Sequence, residues 1–272
     1  MTSNKLNILY QDQDLLVLDK PAGLVVDKSN TQAIDTLEDI LQKEFEIKLE
    51  RGGIVHRLDK DTSGVILIAK TQTALDNLQA QFKERKIKKE YLALVHGFIE
   101  EGGVIEGAIG RNPRNREKFT VFGRPARSQA QDLAGRQVEG KEATTEYEPL
   151  KQLTMDNGEL TNIFPDFNKI QMRKLDRMKY NHFTLLKVHP LTGRTHQIRV
   201  HLKYAGFPVV GDEKYVGRKV YRLDHRWCPR LFLHAAKLRF RHPVTGNWME
   251  FEAKLPEDLK NTLWTIFSYS LP

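Results

Sequence analysis

The order of short apolar runs and amphipathic segments constrains the fold of this chain more than any other feature. Short strand-like runs are LNILY, LLVLDKPAGLVV, which Pro21 and Gly23 punctuate as a turn, and VILIAK. Elsewhere in the chain, apolar residues recur at the three-and-four spacing of helices, in the sets Ile34, Leu37, Leu41 and Phe45; Leu75, Leu78 and Phe82; and Ile198, Leu202 and Ala205. Strands and helices do not alternate as in a doubly wound sheet, so the sequence predicts an α+β fold.

Local signals predict where several of these elements begin and end. Thr31 is a candidate N-cap for the first helix, and Thr73 with Asp76 resembles a capping box for the second. Thr195 is a candidate cap for the third helix, and Gly206 is placed as a C-terminal glycine. Residues 53–70 are expected to form a strand, a polar turn and a second strand.

Length and charge narrow the classes of partner. The chain has 272 residues, enough for one large domain or two small ones. Its formal net charge of +8 and its isoelectric point near 9.4 favour a polyanionic partner, which is RNA, DNA or an anionic membrane surface. Because Cys228 is the single cysteine, an intramolecular disulfide and a cysteine-rich zinc site are excluded. The N-terminus has no secretory pattern and no apolar run reaches membrane length, so we expect a cytoplasmic protein.

The positive charge is unevenly distributed. Segment 111–141 is predicted to be loop-rich and holds eight basic residues against three acidic ones. Segment 154–181 is also expected to be polar and irregular, and it adds Arg173, Lys174, Arg177 and Lys179. Both segments are candidates for contacts with phosphate, although a solvated loop is the alternative interpretation.

Several kinds of chemistry have no support in the sequence. His189, His196 and His201 form the densest group of histidines, but they lack the spacing of metal ligands. There is no phosphate-binding glycine loop and no nucleophile elbow. The sequence therefore predicts neither a metal nor a cofactor.

One polar pattern, HRLDxxTSG over residues 56–64, suggests a fixed carboxylate. Arg57 lies two residues before Asp59, and nearby positive charge keeps a carboxylate ionised and available as a nucleophile. The alternative is a hairpin in which an aspartate caps its own turn. Asp61 competes with Asp59 for either role, and spacing alone does not separate them.

Four segments together resemble the RluA family of RNA pseudouridine synthases. They are LVLDKPAGLVV at 16–26, HRLDKDTSGVILIAKT at 56–71, KKEYLALVHG at 88–97, and HPLTGRTHQIRVHLKYAGFPVVGD at 189–212 followed by LFLHAAKLRFRHPVTG. They follow the family's order across most of the chain. The resemblance implies a mixed, mainly antiparallel central sheet with flanking helices and a catalytic cleft.

The resemblance also implies roles for individual residues. Asp59 matches the essential aspartate, Tyr91 the tyrosine that packs on the target base, and Arg199 the arginine that pairs with the aspartate, with Arg194 as its rival. The expected substrate-binding residues, including two chosen for their charge, are His56, Arg57, Arg194, Leu233, Arg111 and Arg114.

The implied reaction isomerises a uridine in structured RNA, ribosomal or transfer RNA, to pseudouridine. The uridine must leave its stack to expose the glycosidic bond, and stacking on an aromatic ring contributes about 1–3 kcal/mol per base. Isomerisation neither oxidises nor hydrolyses, so no cofactor is expected. Attack at C1′, addition to C6 and removal of the C2′ proton all remain open roles for the aspartate; the resemblance favours proton removal.

The sequence departs from the family pattern in three places. Asp27-Lys28-Ser29 follows GLVV, where the family usually continues with histidine and proline. Segment 154–181 is longer than the usual connection, and the first motif begins too early to leave room for an S4 RNA-binding domain. We therefore expect a single catalytic domain over residues 1–272, acting as a monomer without an obligate protein partner. The alternatives are a catalytically silent RNA-binding or ribosome-assembly factor on the same scaffold, and a basic RNA hydrolase.

Overall fold

The computed structural model describes residues 6–27, 35–122, 129–131 and 137–266. The strands are β1 Asn7–Gln11, β2 Leu15–Lys20, β3 Ser63–Ala69, β4 Lys88–His96, β5 Gly103–Arg111, β6 Phe119–Val121, β7 Gln129–Gln131, β8 Gln137–Glu139, β9 Lys141–Thr154, β10 His182–Pro190, β11 Leu233–Arg241 and β12 Trp248–Glu252. The helices are α1 Leu37–Glu44, α2 Gln72–Lys83, α3 Asn157–Ile163, α4 Lys169–Arg177, α5 Gln197–Tyr204, α6 Arg218–Asp224 and α7 Glu257–Thr265, with a 3-10 turn at Glu50–Gly53. The predicted α+β class is confirmed.

The chain divides into two compact units. Unit 1 comprises the residues up to Tyr91 together with His234–Leu255, and unit 2 comprises Leu92–Leu233 and the residues from Pro256 onward. Strand β4 contributes residues to both units. A single catalytic domain over the whole chain stays a prediction.

Unit 1 is built on the strand order β1-β2-β3-β11-β12. Strand β1 pairs with β2, β2 with β3, and β11 with β12, all antiparallel, whereas β3 pairs in parallel with β11 and matches Ser63 with His234 and Gly64 with Ala235. The core combines alternate residues of β2 and β3 with Leu75 and Leu78 of α2. The three-and-four spacing of this helix therefore predicted its buried face correctly.

Unit 2 has the antiparallel strand order β10-β9-β5-β6. Helix α5 packs on this sheet through Val200, which joins a small core with Ile109 and Ala143. Gly206 ends the helix with a φ of +94°, as its sequence position predicted.

Three predicted helix caps are wrong. Helix α1 is capped by Thr36 in a capping box with Asp39, whereas Thr31 lies outside the described residues. Helix α2 is capped by Thr71, two residues before the expected Thr73, and the Thr71 side chain accepts a hydrogen bond from the Ala74 N–H. Helix α5 begins after His196, which has a φ of +55° and makes no side-chain cap. Tertiary contacts therefore override the local signal here.

Two other expectations also need correction. The strand expected before the Asp59 turn is reduced to one isolated bridge between Ile54 and Ile68. Segment 154–181 is not irregular, because it contains α3 and α4. In the described ranges, no helix combines the length and the apolar character needed to cross a bilayer.

Candidate active site

A buried lysine fixes the loop that carries Asp59. Lys20 is fully buried at the end of β2, and its Nζ donates to the carbonyl oxygens of Pro21 at 2.8 Å, Leu24 at 2.9 Å and Lys60 at 3.1 Å. The Gly23 N–H also donates to the Lys60 oxygen, at 2.9 Å. These contacts supply acceptors for the three protons of the ammonium group, which burial would otherwise penalise heavily. The turn after β2 and the loop that carries Asp59 are thereby held together.

The two candidate aspartates differ in exposure. Asp59 is half-buried, and its carbonyl accepts the Thr62 N–H at 3.1 Å, whereas Asp61 is exposed. A half-buried carboxylate is shielded from bulk water on one side and still open to a substrate on the other. The structure therefore favours Asp59 where spacing alone left both residues open.

The loop re-enters the sheet through a buried serine–histidine contact. Ser63 Oγ lies 2.9 Å from His234 Nδ1, and His234 Nε2 lies 2.9 Å from the Ala253 carbonyl oxygen. Because a carbonyl only accepts, Nε2 carries the proton and Nδ1 accepts from the serine hydroxyl. This chain of hydrogen bonds anchors β3 to β11 four residues after Asp59.

Tyr91 is buried near the charge of Asp59. Its side chain is 9% exposed, and burial, followed by the negative charge of Asp59, raises the pKa of its phenol above the ordinary value. The hydroxyl is therefore protonated at neutral pH. Unit 1 thus brings together the two residues that the resemblance named as aspartate and base platform.

The side chain of His56 contacts other residues of the protein. Its Nε2 accepts the Leu67 N–H at 3.1 Å, and its ring lies 5.0 Å from that of Phe82. Burial, followed by the nearby charge of Lys89, lowers the pKa of His56 to about 3. Burial also lowers the pKa of Lys89 to about 8. His56 is therefore a neutral acceptor, and a contact with substrate stays a prediction.

Arg57 forms an ion pair with the residue at which the first motif departs from the family. Its Nη1 lies 3.0 Å from Asp27 Oδ2, and Arg51 contacts the other oxygen of Asp27. The side chain of Arg57 is nevertheless 56% exposed, so it lies within reach of solvent or a ligand. Lys28 and Ser29 lie outside the described residues.

Arg199 is held rigidly inside unit 2. Its Nε and Nη2 donate to the two carboxylate oxygens of Asp212 at 2.7 and 2.8 Å, and its guanidinium lies 5.1 Å from the centre of the Tyr215 ring. Asp212 is fully buried, and sequence reasoning missed it as a partner. Such a bidentate pair fixes the plane of the guanidinium. The ion pair of Arg199 with Asp59 stays a prediction.

Arg194 is more exposed than Arg199. Its Nε donates to the Glu142 carbonyl oxygen at 3.1 Å. The turn around it is organised by buried Gln197, whose Oε1 accepts from Thr192 Oγ1 at 2.7 Å and from the Arg194 N–H at 3.0 Å. Gln197 was not singled out from the sequence, although it lies inside the quoted motif. The difference in burial favours Arg199 as the fixed arginine.

The remaining predicted binding residues belong to unit 2. Leu233 is buried, with 3% exposure, at the start of β11. Arg111 and Arg114 are exposed around the β5–β6 hairpin, where Asn112 Oδ1 accepts the N–H groups of Arg114 and Asn115. The Arg111 guanidinium lies over the Phe119 ring, 5.3 Å from its centre. Their contacts with RNA stay predictions.

A possible metal-ligand group within the described ranges is already explained by hydrogen bonds. Ligand atoms of Asp12, Asp14 and His242 lie within 4.8 Å of one another. The Asp12 carboxylate accepts from Tyr10, His242 and two backbone N–H groups, which accounts for the cluster without an ion.

Unit 1 thus combines a mixed sheet with a half-buried aspartate whose charge acts on a buried, neutral tyrosine. Comparison with known proteins identifies the family. The chain belongs to the RNA pseudouridylate synthase family, whose model matches residues 14–204. It is therefore an isomerase that converts uridine in RNA to pseudouridine.

Relatives and solved structures agree with this assignment. The chain is 39% identical to an RNA pseudouridine synthase of Aquifex aeolicus, over 94% of this chain and 71% of the relative. It is 36% identical to ribosomal large subunit pseudouridine synthase D of Pseudomonas aeruginosa, over 96% of this chain and 71% of the relative. Human RNA pseudouridylate synthase domain containing 1 superposes with a TM-score of 0.65 at 27% identity, covering 94% and 86% of the two chains.

Proposed function

We propose that this chain modifies uridines in the RNA of the large ribosomal subunit, with Asp59 as the catalytic residue. The proximity of half-buried Asp59 to the neutral phenol of Tyr91 supports the catalytic assignment. Ribosomal RNA is favoured over transfer RNA because several relatives carry ribosomal large subunit names. The protein acts in the cytoplasm, as a monomer without an obligate partner.

In the proposed reaction the target uridine leaves its stack and lies against the ring of Tyr91, where its glycosidic bond meets the Asp59 carboxylate. The bidentate contact with Asp212 keeps the Arg199 guanidinium in one plane, so that its charge is fixed in the active enzyme. The exposed Arg111 and Arg114 contact phosphates of the same RNA. Arg57 and Arg194, which are also exposed, contribute further positive charge.

The test is modification of an unmodified large-subunit ribosomal RNA transcript, with pseudouridine mapped by carbodiimide labelling and primer extension. We expect product at discrete uridines. Asp59→Asn keeps the shape and removes the charge, so it should abolish product while RNA binding survives. Asp61→Asn is the matched control, and its activity should stay within about twofold of wild type because its side chain is exposed.

The outcomes separate the parts of this proposal. Product in transfer RNA but not in the ribosomal transcript would show that the target is wrong and the enzyme assignment right. Full activity of the Asp59→Asn variant, or equal loss in both variants, would contradict the role of Asp59.

A further inference from the structure

Two basic helices of unit 2 carry none of the residues assigned to the reaction. Helix α4 carries four basic residues and one acidic residue, and α6 carries three basic residues and one acidic residue. Lys174 of α4 lies against Lys219 of α6, and this contact lowers the pKa of Lys219. Two ammonium groups repel each other, so the contact costs stability in the isolated protein.

Six exposed cations of these helices form no ion pair among the described residues: Arg173, Lys174, Arg177, Arg218, Lys219 and Arg222. Two of the acids in this part of unit 2 are committed elsewhere. Asp166 binds Arg226, and buried Asp224 accepts from Tyr180 and from the Gly211 N–H. The charge of these six cations is therefore not neutralised by an ion pair with any described residue.

The segment that presents α4 is firmly attached. Arg226 donates from Nη2 to Asp166 at 2.7 Å, and its guanidinium lies over the rings of Phe164 and Phe167 at 5.2 and 5.1 Å. Tyr180 donates to Asp224 at 2.9 Å and accepts from the indole of Trp227 at 2.9 Å. A segment anchored in this way presents its cations at fixed positions, so binding does not first have to order a loop.

The surface also contains a pocket of mixed character. The pocket has a volume of about 500 Å³ and is lined by Ile170, Arg173, Lys174, Arg177 and Met178. Ile170 is 77% exposed and Met178 is 41% exposed. Cations beside apolar side chains match the two faces of a nucleic-acid backbone, in which charged phosphates alternate with less polar sugars and bases.

We propose that α4 and α6 form a second RNA-binding surface. It binds the phosphate backbone of the substrate through residues other than those assigned to catalysis. This inference rests on the proposed function, because that function supplies the polyanion. Each phosphate bound there releases counterions and neutralises part of the Lys174–Lys219 repulsion. The surface adds affinity without reading the target base, since phosphate contacts position an RNA and do not specify sequence.

The experiment compares two triple variants that lose the same charge. The surface variant is Arg173→Gln/Lys174→Gln/Arg177→Gln. The control is Lys48→Gln/Lys83→Gln/Lys254→Gln, three exposed cations of unit 1 that form no ion pair within the described part of the chain. Binding to an unmodified large-subunit ribosomal RNA transcript is measured over a range of salt concentrations. We expect Kd to rise about tenfold at about 150 mM salt in the surface variant and less than about twofold in the control.

The salt dependence gives a second expected result. Removing three phosphate contacts should reduce the slope of log Kd against log salt by about two to three, and the control should leave the slope unchanged. Equal weakening in both variants would show that only net charge matters and would overturn the proposal. So would unchanged RNA binding in the surface variant accompanied by loss of binding to phosphatidylglycerol vesicles.

The experiments distinguish a failure of the proposed function from a failure of the surface proposal. If wild type binds the transcript but forms no pseudouridine in it, the target assignment fails, while the contrast between the two triple variants still decides the surface.

Lys219→Gln probes the repulsion directly. It should raise the Tm of the protein without RNA, and added salt should shrink the gain because salt screens the contact. An unchanged or lower Tm would show that the two ammonium groups do not repel each other and would remove α6 from the proposed surface.

Discussion

Gly64, the last residue of the HRLDxxTSG pattern, is a position where a single methyl group should have a large effect. Its φ is +115°, and a Cβ built there would lie 2.2 Å from the Ala235 carbonyl oxygen and 2.8 Å from the Ala235 nitrogen. Both contacts involve the backbone of β11, which pairs in parallel with β3 at this residue. Rotation of a side chain therefore cannot relieve the clash.

The cost of Gly64→Ala has two parts. A positive φ costs an L-residue about 1–2 kcal/mol, and forcing an extra carbon into packed backbone costs about 1–3 kcal/mol more. Displacing β11 also threatens the ladder hydrogen bonds, each with a net contribution of about 1 kcal/mol. We expect the free energy of unfolding to fall by about 3–5 kcal/mol in total.

Gly23→Ala is the matched control. Gly23 has a φ of +86°, but a Cβ there meets no atom within 4 Å. Only the conformational cost applies, so we expect a loss of about 1–2 kcal/mol. Urea unfolding followed by circular dichroism gives both values, and pseudouridine formation at low temperature reports whether the loop stays in place. If Gly64→Ala destabilises no more than Gly23→Ala, the clash with β11 is not real and the reasoning is refuted.

Three further predictions concern the site. In single-turnover kinetics, Tyr91→Phe should retain activity and Tyr91→Ala should lose most of it, because a stacking platform needs only the ring. Loss of activity in the Phe variant would show that the hydroxyl takes part in the reaction. Arg199→Ala should cost about 3–5 kcal/mol of stability as well as activity, because it leaves the Asp212 carboxylate buried and unpaired, whereas the exposed Arg194→Ala should cost under about 0.5 kcal/mol in the same urea titration. In the folded protein the pKa of His56 is about 3, below its ordinary value of 6.5. As the pH falls, the unfolded chain therefore binds the proton first, and the free energy of unfolding should fall by up to about 2 kcal/mol from pH 7 to pH 5. His56→Gln should remove that part of the loss, and an unchanged pH dependence in this variant would contradict a neutral His56.

The sequence predicted features that depend on burial of a contiguous segment. The apolar runs form strands β2 and β3, which are almost entirely buried in the sheet. Helix α2 buries the face that its spacing indicated. The helices of segment 154–181 could also have been predicted from the sequence. Asp156 with Glu159, and Asn168 with Gln171, are capping boxes at the ordinary spacing, and both form in the structure.

Other features depend on residues far apart in the chain and had no local signal. A lysine at a strand end is usually exposed, yet Lys20 is buried because the turn after β2 and the Lys60 carbonyl together surround its ammonium group. The pairing of Arg199 with Asp212 likewise requires α5 and the following turn to be already in place. Spacing could not separate Asp59 from Asp61 for the same reason, since their difference in exposure arises from the packing of the whole loop.

Thr62 shows how such packing leads to a further prediction. The TSG sequence suggests turn chemistry, but the turn is closed by the Thr62 backbone N–H, and the buried Thr62 hydroxyl finds no hydrogen-bond partner among the described residues. A buried hydroxyl without a partner costs about 1–3 kcal/mol. Thr62→Val keeps the shape and removes that cost, so the free energy of unfolding should rise by about 1 kcal/mol in urea titration. Thr62→Ala is the control: it also deletes a buried methyl group, which offsets the gain, so it should be less stable than the valine variant. A valine variant less stable than wild type would mean that the hydroxyl is hydrogen-bonded in the folded protein, and that the catalytic loop is held by one more contact than the geometry shows.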